Sequence, residues 1–437
     1  MRVYIETLGC PKNEADSNAL ASLLRPPFSR TGDPRRADII VVNTCGFIHD
    51  AREESVDTLL EYALWQDRPQ QQKVIAWGCL VQRYYHELVR EIPEIHGWIG
   101  LHPVEMVAEL LRQIPDHPNP LVSVPTEPFP LFGNIHPHRP SNTAYWYLKI
   151  GDGCDRRCSF CSIPGFKGPH RSRTLESVLQ EARYLLAQGI KELILVDQDT
   201  TQYDSDTNFL EDLLVQLDQI PGDFWIRVMY LHPDHLRQKL LDTMASLGKV
   251  LPYFDIPIQH ASDSILKAMN RTKNAGELGD LFRRLREQIP NAVLRTTVMV
   301  GYPGETQEDF AKLLAFMEQV RFDRLGAFLY SPEENTIAFA QNQASPVPQK
   351  TGQRRLEQVM QLQKDISEQT AEQWIGKKMR VLVEEQADGV FIGRSFRDAP
   401  EVDASVILSS DRPLHLHEFV ECEITASWEY DLEGRVL

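Results

Sequence analysis

The chain has few cysteines, an odd number of them, and no apolar stretch long enough to cross a membrane. Three of its seven cysteines crowd into one short loop, which is unlike the disulfide framework of secreted proteins. The first residues contain no apolar signal segment. We therefore expect a protein of the reducing cytoplasm with no membrane partner.

Basic charge is also scarce. Lys and Arg number 46 against 62 Asp and Glu, which gives a formal net charge of −16 at pH 7. Such a surface repels phosphate backbones, so we expect a basic partner rather than nucleic acid as the direct substrate. With 437 residues, 42% of them hydrophobic, the chain is long enough for two to four domains with their own cores.

The most informative motif is a C-x-x-x-C-x-x-C loop formed by Cys154, Cys158 and Cys161. This spacing lets three thiolates surround one face of an iron–sulfur cube and leaves the fourth iron without a protein ligand. A metal with an open position can bind and activate a small molecule. A zinc knuckle short of one ligand is the alternative, and it is disfavoured because the next histidine, His170, lies nine residues beyond Cys161.

A second set of three cysteines, Cys10, Cys45 and Cys79, is spread over the first part of the chain at intervals of 35 and 34 residues. Each follows an apolar run that we predict to be a strand of a parallel sheet. Ligands bind outside the carboxyl ends of such strands, so these cysteines are expected to converge there as a second cluster site. Buried core cysteines placed by chance are the alternative. The predicted strands are Arg2–Leu8, Ala37–Asn43 and Lys73–Trp77.

The pattern of strands and helices predicts three domains and a linker. We expect an open parallel α/β domain over residues 1–120 and a linker rich in proline over 121–144. Six strand–helix units over 145–369 predict an incomplete (β/α)6 barrel, whose active site would lie at the carboxyl ends of its strands. Short alternating strands over 370–437 predict a small antiparallel β-barrel resembling an OB fold.

The individual elements follow from the same patterns. The linker histidines His136 and His138 are interpreted as solvated rather than metal-binding. The predicted strands of the middle domain are Trp146–Ile150, Glu192–Asp197, Trp225–Tyr230, Tyr253–Pro257, Leu294–Val300 and Arg324–Leu329. A long helix is predicted from Gln349 to Gln373, and the predicted strands after it are Arg380–Glu384, Val390–Ile392, Ser405–Leu408 and Phe419–Ala426.

The triple-cysteine loop resembles the cluster motif of the radical S-adenosylmethionine enzymes. The order of domains resembles the methylthiotransferases, whose C-terminal module is called TRAM, and this resemblance covers essentially the whole chain. Three segments are similar to the RimO branch: Cys10–Asn13 with Asp16-Ser17, Tyr330–Glu334, and Arg394–Asp403. The tRNA-modifying branch usually has an arginine–proline pair in place of Glu333-Glu334 and lacks the Asp-Ala-Pro-Glu run. Asn335 and Ala404-Ser405 depart from the RimO pattern, where glycine is common.

The resemblance implies a radical SAM enzyme that inserts a methylthio group at the β-carbon of an aspartate in ribosomal protein twelve of the small subunit. It implies two [4Fe–4S] clusters, one on each set of three cysteines, with S-adenosyl-L-methionine on the barrel cluster. A low-potential donor such as flavodoxin or ferredoxin would supply the electron. A methylene hydrogen is not acidic enough for a side-chain base, so the cofactor must supply the chemistry. We therefore assign no side chain as a catalytic acid or base.

The charge of the last domain favours the same branch. From Thr370 to Leu437 there are fourteen acidic residues against seven basic ones. A module with this balance would repel RNA and attract a basic ribosomal protein, although an ordinary solubilising surface is the alternative. A tRNA methylthiotransferase and a non-catalytic iron–sulfur assembly factor remain the rival functions.

Cofactor contacts in the barrel are predicted at five further residues. The resemblance places S-adenosylmethionine near Gln198 and Asp199, after the second barrel strand. Arg295, on the fifth strand, is predicted to contact the cofactor or the substrate, with a structural ion pair as the alternative. Gly301 and Gly304 are predicted to bring the backbone close to the adenine. The alternative is an ordinary turn, because glycine–proline pairs are common between helices and strands. His260 and Cys422 are interpreted as packed core residues.

Overall fold

The structure is a computed structural model, and it describes the chain except for residues 66–68, 70, 118–119, 129–142 and 388. The predicted linker histidines His136 and His138 therefore lie outside the described residues. Among the helices that are described, none is both long and apolar enough to cross a membrane.

The first domain is a parallel α/β sheet with six strands. The strands are β1 Arg2–Thr7, β2 Ser29–Arg30, β3 Ile39–Thr44, β4 Lys73–Gly78, β5 Gly97–Ile99 and β6 Leu121–Ser123. The helices are α1 Pro11–Leu23, α2 His49–Leu64, α3 Cys79–Glu91 and α4 Val104–Gln113, with short 3-10 turns at Pro34–Arg36 and Ile114–Asp116. The strand order is β2-β1-β3-β4-β5-β6, and all pairs are parallel. The central strand β3 is buried at every position, as expected for a strand covered on both faces.

The second domain begins after the segment predicted as a linker, which itself starts with β6, paired to β5. Its strands are β7 Tyr145–Lys149, β8 Gly151–Asp152, β9 Arg171–Ser172, β10 Glu192–Val196, β11 Asp204–Ser205, β12 Asn208–Phe209, β13 Trp225–Val228, β14 Tyr253–Asp255, β15 Val293–Val300 and β16 Arg324–Leu329. Its helices are α5 Ile163–Lys167, α6 Leu175–Ala187, α7 Leu210–Asp218, α8 Gln238–Ser246, α9 Asp263–Ala268, α10 Ala275–Gln288, α11 Gln307–Val320, α12 Ile337–Ala344 and α13 Gln349–Glu372, with 3-10 turns at Thr200–Gln202 and Pro233–His235.

The six strands predicted for a partial barrel are all present. β7, β10 and β13 form one parallel set, and β14, β15 and β16 form another. The Leu231 N–H donates to the Asp255 carbonyl at 2.9 Å and so joins the end of β13 to β14. The strands therefore follow one another around a curved sheet in chain order, and the loops at their carboxyl ends share one face.

The last domain is a closed barrel of five strands, as predicted in type. Its strands are β17 Lys378–Ala387, β18 Val390–Ser395, β19 Val406–Ser409, β20 Phe419–Ser427 and β21 Leu432–Val436. Four neighbouring pairs are antiparallel, and β19 pairs with β21 in parallel. β21 was not among the predicted strands. A Cβ on its Gly434 would stand 2.9 Å from the Cys422 Sγ, so the small residue that weakens the strand pattern is what lets the two strands approach.

The segment Arg394–Asp403 attaches this barrel to the second domain. Asp398 forms an ion pair with Arg324, and both side chains are buried. Arg394 Nη2 lies 2.7 Å from Glu192 Oε2 on β10. Asp398 and Arg394 are therefore both paired inside the molecule and are not available to a partner.

Candidate active site

Three cysteines meet at the carboxyl edge of the first sheet. Cys10 follows β1, Cys45 follows β3 and Cys79 begins α3 directly after β4, and these strands are neighbours in the sheet. A Cβ on Gly9 would stand 2.5 Å from the Cys45 Cβ, and one on Gly46 would stand 2.8 Å from the Cys79 carbonyl carbon. The glycines beside the cysteines thus allow the three loops to approach, which confirms the predicted convergence. The role of these cysteines as cluster ligands stays a prediction.

Two asparagines hold these loops together. Asn13 Nδ2 donates to the Leu8 carbonyl at 2.8 Å, and Asn43 Nδ2 donates to the Asn13 carbonyl at 2.9 Å. The same Asn43 amide also donates to the Ser17 Oγ at 2.9 Å. The Cys-Pro-Lys-Asn motif therefore positions its own cysteine through hydrogen bonds between the β1 and β3 loops.

The barrel cysteines Cys154, Cys158 and Cys161 lie on the loop after β7, on the carboxyl face of the barrel. The Cys154 N–H donates to the Gly168 carbonyl at 3.2 Å, and the Cys161 N–H donates to the Cys158 carbonyl at 3.1 Å. The loop is supported from behind because the Ser159 Oγ lies 2.8 Å from the Tyr302 hydroxyl.

Burial raises the pKa of four of these thiols, Cys45, Cys79, Cys154 and Cys161, and so favours their protonated form. It raises the pKa of the Cys154 thiol to about 11, and it raises the pKa of Cys45 and Cys79 to about 11 and about 12. The pKa of Cys161 is raised further by burial and by its neighbour Cys158. Binding of iron must therefore release protons from the protein.

The donor chemistry of both cysteine sets fits iron–sulfur clusters. Each set consists of three free thiols, and thiolates are the ligands that hold such clusters. In an iron–sulfur cube each thiolate binds a different iron, so its ligands stand around a face instead of around one atom. Among the described residues, no group of three or more His, Cys, Asp or Glu side chains is placed to hold a metal ion.

A cavity of about 240 Å³ opens beside the barrel cysteines. The first domain contributes Lys12 and Phe47 to its wall, so the cavity is built by two domains. The residues that line it are Lys12, Phe47, Cys154, Arg156, Cys158, Phe160, Cys161, Ile163, Gln198, Asp199, Tyr230, Leu231, His232, Pro257, Gln259, Arg271 and Thr297. A groove of about 740 Å³ reaches Arg156, Cys158 and Cys161 from the side of α3.

Two of the predicted cofactor contacts line this cavity. The side-chain Nε2 and Oε1 of Gln198 are buried without a hydrogen-bond partner in the described structure, which fits a side chain that hydrogen-bonds a ligand. Asp199 Oδ2 accepts from Arg156 Nε at 2.7 Å, and its Oδ1 accepts from the Thr201 N–H at 3.0 Å. Asp199 therefore orients Arg156 and carries less free charge than the sequence suggests.

The other three predicted contacts lie elsewhere. Arg295 is the third residue of β15, near its amino end, and its Nη1 donates to Asp255 Oδ1 at 2.7 Å. It opens on a separate cavity of about 460 Å³ against the last domain, so the ion-pair alternative describes it better. The Gly301 N–H donates to the Glu305 carboxylate, and the Gly304 N–H donates to the Ser345 carbonyl at 2.9 Å. These turns support the fold and do not line the cysteine cavity.

Several cavity residues were missed by the sequence analysis. Tyr230 and Gln259 both have a positive φ, of 61° and 70°, which is unusual for residues with a side chain and is common at functional sites. Arg271 Nη1 lies 2.6 Å from His232 Nε2. Lys12 lies inside the Cys-Pro-Lys-Asn motif, but only the fold brings it to the barrel.

Four buried charges join the two cysteine-bearing domains. Lys149 Nζ on β7 lies 2.7 Å from Asp16 Oδ1 on α1, and Lys149 also forms an ion pair with Asp152. Lys167 Nζ lies 2.9 Å from Asp152 Oδ1. Asp152 precedes the cysteine loop and Lys167 follows it. The network therefore fixes that loop against the first domain.

The Glu333-Glu334 pair has a similar joining role. Glu333 is buried, and Arg83 Nη1 from α3 lies 3.0 Å from its Oε2, where Arg52 from α2 also forms an ion pair. Glu334 is exposed. Glu333, one of the two residues that distinguish the family branches in the sequence, therefore connects the first domain to the barrel.

Comparison with known proteins agrees with this architecture. Models of three families match: the radical SAM superfamily over residues 148–317, the uncharacterized protein family UPF0004 over residues 2–100, and the TRAM domain over residues 375–437. The chain is 44% identical over 441 residues to the ribosomal protein uS12 methylthiotransferase RimO of Thermotoga maritima, and the match covers 100% of both chains. It is 44% identical over 444 residues to the protein of the same name from Thermosipho melanesiensis, again over 100% of both.

Among solved structures, the radical SAM methyltransferase TsrM from Kitasatospora setae, with cobalamin and a [4Fe–4S] cluster bound, is similar with a TM-score of 0.59. The match covers 89% of this chain and 80% of that one, at 16% identity. At this identity the likeness shows a shared fold alone.

Proposed function

Because the chain belongs to the RimO family of methylthiotransferases within the radical SAM superfamily, we propose that it inserts a methylthio group at the β-carbon of an aspartate of ribosomal protein uS12. One observation carries the proposal. Cys154, Cys158 and Cys161 line a cavity to which the first domain contributes Lys12 and Phe47, and the other three cysteines converge in that first domain. Cys79 packs with Ile163 and Phe166 of α5, the helix that follows the barrel cysteines.

The cofactors that this membership implies are [4Fe–4S] clusters and S-adenosylmethionine. Cys154, Cys158 and Cys161 would hold one cluster, and Cys10, Cys45 and Cys79 would hold the other. When bound, these groups supply a radical that removes an unactivated hydrogen and the sulfur that replaces it. Gln198 and Arg156 would provide polar contacts to S-adenosylmethionine from the cavity wall.

The protein itself fixes the positions of the cysteine sets and limits the access of water to them. The reacting methylene has no acidic proton, so a base within the cavity would serve no purpose. The apolar side chains Phe47, Phe160 and Ile163 limit water around the cysteines, which protects a reactive intermediate from side reactions. The Asp16–Lys149–Asp152–Lys167 network keeps the two cysteine sets in a fixed relation.

The partners follow from the charge of the surface. The net charge of −16 supports association with a basic ribosomal protein, and we propose that the TRAM domain takes part in it. Glu385, Glu421 and Glu423 are exposed on that domain, whereas Asp398 is used internally. All seven cysteines are free, which suits the reducing cytoplasm, and a low-potential donor such as flavodoxin or ferredoxin would supply electrons.

The proposal is tested by anaerobic reconstitution with iron and sulfide, followed by incubation of uS12 with S-adenosylmethionine and a strong reductant. Mass spectrometry is expected to find one methylthio group on a single aspartate of uS12. Modified tRNA with unmodified uS12 would contradict the substrate. Failure to cleave S-adenosylmethionine at full iron content would contradict the reaction.

A further inference from the structure

Lys12 is a buried cation in the cavity wall with no acidic partner. Its side chain is only 9% exposed, and its Nζ lies 3.7 Å from the centroid of the Tyr230 ring. Within the part of the chain that the structure describes, Nζ has no hydrogen bond and no carboxylate within 4.0 Å. Burial of an ammonium is unfavourable unless negative groups compensate it, so this position suits an anion that enters the cavity.

The neighbouring buried lysines show the contrast. Lys149 has Asp16 at 2.7 Å, and Lys167 has Asp152 at 2.9 Å. Lys12 also occupies the second position of α1, where the positive end of the helix dipole disfavours a cation. Neither helix stability nor an internal ion pair accounts for a lysine at this point.

Tyr230, whose ring contacts Lys12, is fixed by hydrogen bonds of both its backbone N–H and its carbonyl. The Tyr230 N–H donates to Asp255 Oδ2 at 2.9 Å, and the Tyr230 carbonyl accepts from the Thr200 N–H at 3.2 Å. A cation lying on an aromatic face keeps its N–H groups free to donate to an anion. The arrangement presents a fixed positive charge to the cavity.

S-adenosylmethionine also carries a carboxylate, but other cations line the cavity beside the barrel cysteines, and one of them, Arg271, lowers the pKa of Cys161 against the larger effect of burial. Arg271 lines the cavity after α9, and its Nε is buried with no partner among the described residues. The adjacent Asn270 Nδ2 donates to the Arg157 carbonyl of the cysteine loop at 2.7 Å. Arg156 and Arg271 both come from the barrel, whereas Lys12 comes from the first domain and is available to a different anion.

We infer that Lys12 binds the side-chain carboxylate of the target aspartate and thereby selects aspartate over asparagine. The inference rests on the proposed function. An ammonium on the carboxylate fixes the adjacent β-carbon, which is the atom to be modified. Recognition of the negative charge also explains why a cavity of an acidic protein keeps a lysine free.

The test compares the reconstituted wild type with Lys12→Gln, using uS12 and a uS12 variant with asparagine at the target position. Loss of a charge-assisted hydrogen bond typically weakens binding roughly ten- to a hundredfold. The wild type is therefore expected to bind the aspartate form more tightly than the asparagine form by that factor, and K12Q is expected to bind both equally. Lys12→Arg, which keeps the charge, is expected to restore the preference.

Two controls separate the other anions. Iron content and deoxyadenosine formation in the absence of uS12 are expected to be unchanged in K12Q. Arg271→Gln is expected to weaken S-adenosylmethionine binding and to leave the aspartate preference intact. If K12Q is unstable, Lys12→Met is used in its place, because methionine keeps an apolar side chain against the Tyr230 ring.

Three results would overturn the inference: an unchanged aspartate preference in K12Q, a loss of iron from Cys10, Cys45 and Cys79, or weaker S-adenosylmethionine binding with the preference intact. A wild type that binds uS12 but never modifies it would instead contradict the proposed function.

Discussion

Replacement of Glu192 by Gln is predicted to loosen the junction between the barrel and the TRAM domain. Glu192 is fully buried on β10, where its Oε1 lies 2.6 Å from Arg227 Nε and its Oε2 lies 2.7 Å from Arg394 Nη2. The substitution leaves two buried guanidinium groups without this carboxylate. Removal of one partner from a buried ion pair costs about 3–5 kcal/mol, because the remaining charge stays desolvated.

The pH dependence follows from the same contacts. Burial raises the pKa of Glu192, but Arg227 and Arg394 lower it by more, so the pKa of the folded protein lies below the ordinary value. The stabilisation is therefore present above the unfolded pKa of about 4.3 and is lost as the pH falls through the folded pKa. The difference in stability between wild type and E192Q is expected to be constant from pH 7 to about pH 5 and to shrink in stronger acid.

Thermal unfolding measures the effect. The midpoint is expected to fall by roughly 6–20 °C, because a loss of 1 kcal/mol shifts the midpoint of a domain of about 150–250 residues by about 2–4 °C. Glu384→Gln is the matched control. Glu384 contacts the same Arg394, with its Oε1 at 2.6 Å from Nη2, but is 22% exposed, so its loss should cost about 1 kcal/mol or less. Equal unfolding midpoints for E192Q and E384Q would show that burial of the carboxylate does not decide how much stability is lost.

Three further predictions concern the site. Gln198→Leu is expected to weaken S-adenosylmethionine binding roughly tenfold, because the unpartnered amide is lost, and equilibrium dialysis with unchanged affinity would contradict it. Tyr302→Phe removes the hydroxyl 2.8 Å from Ser159 Oγ, and is expected to cost about 1–3 kcal/mol and to lower the iron bound per chain, as measured by thermal unfolding and iron analysis. Glu333→Gln is expected to speed hydrogen exchange in α2 and α3, since Arg52 and Arg83 lose their carboxylate, whereas the exposed Glu334→Gln should not.

The fold was predictable where local pattern and tertiary structure agree. All six barrel strands and the convergence of Cys10, Cys45 and Cys79 follow from apolar runs and from the geometry of parallel sheets. β21 was missed because Gly434 breaks its pattern, although the glycine is needed for contact with Cys422.

The site was predictable only in part, because a sequence pattern does not show which domain approaches a strand or which side chain an arginine pairs with. Arg295 lies near the amino end of β15, away from the active face. Lys12 reaches the barrel cavity from another domain. The Asp-Ala-Pro-Glu run served as a family marker, and only the structure shows that Asp398 is an interdomain ion-pair partner.

The separate roles of the two cysteine sets are the central claim, and one paired measurement tests it most directly. Cys45→Ala and Cys158→Ala are reconstituted alongside the wild type, and deoxyadenosine and methylthiolated uS12 are measured in the same reactions. We expect Cys158→Ala to form neither product, and Cys45→Ala to form deoxyadenosine without methylthiolated uS12. Normal methylthiolation by Cys45→Ala would contradict this expectation.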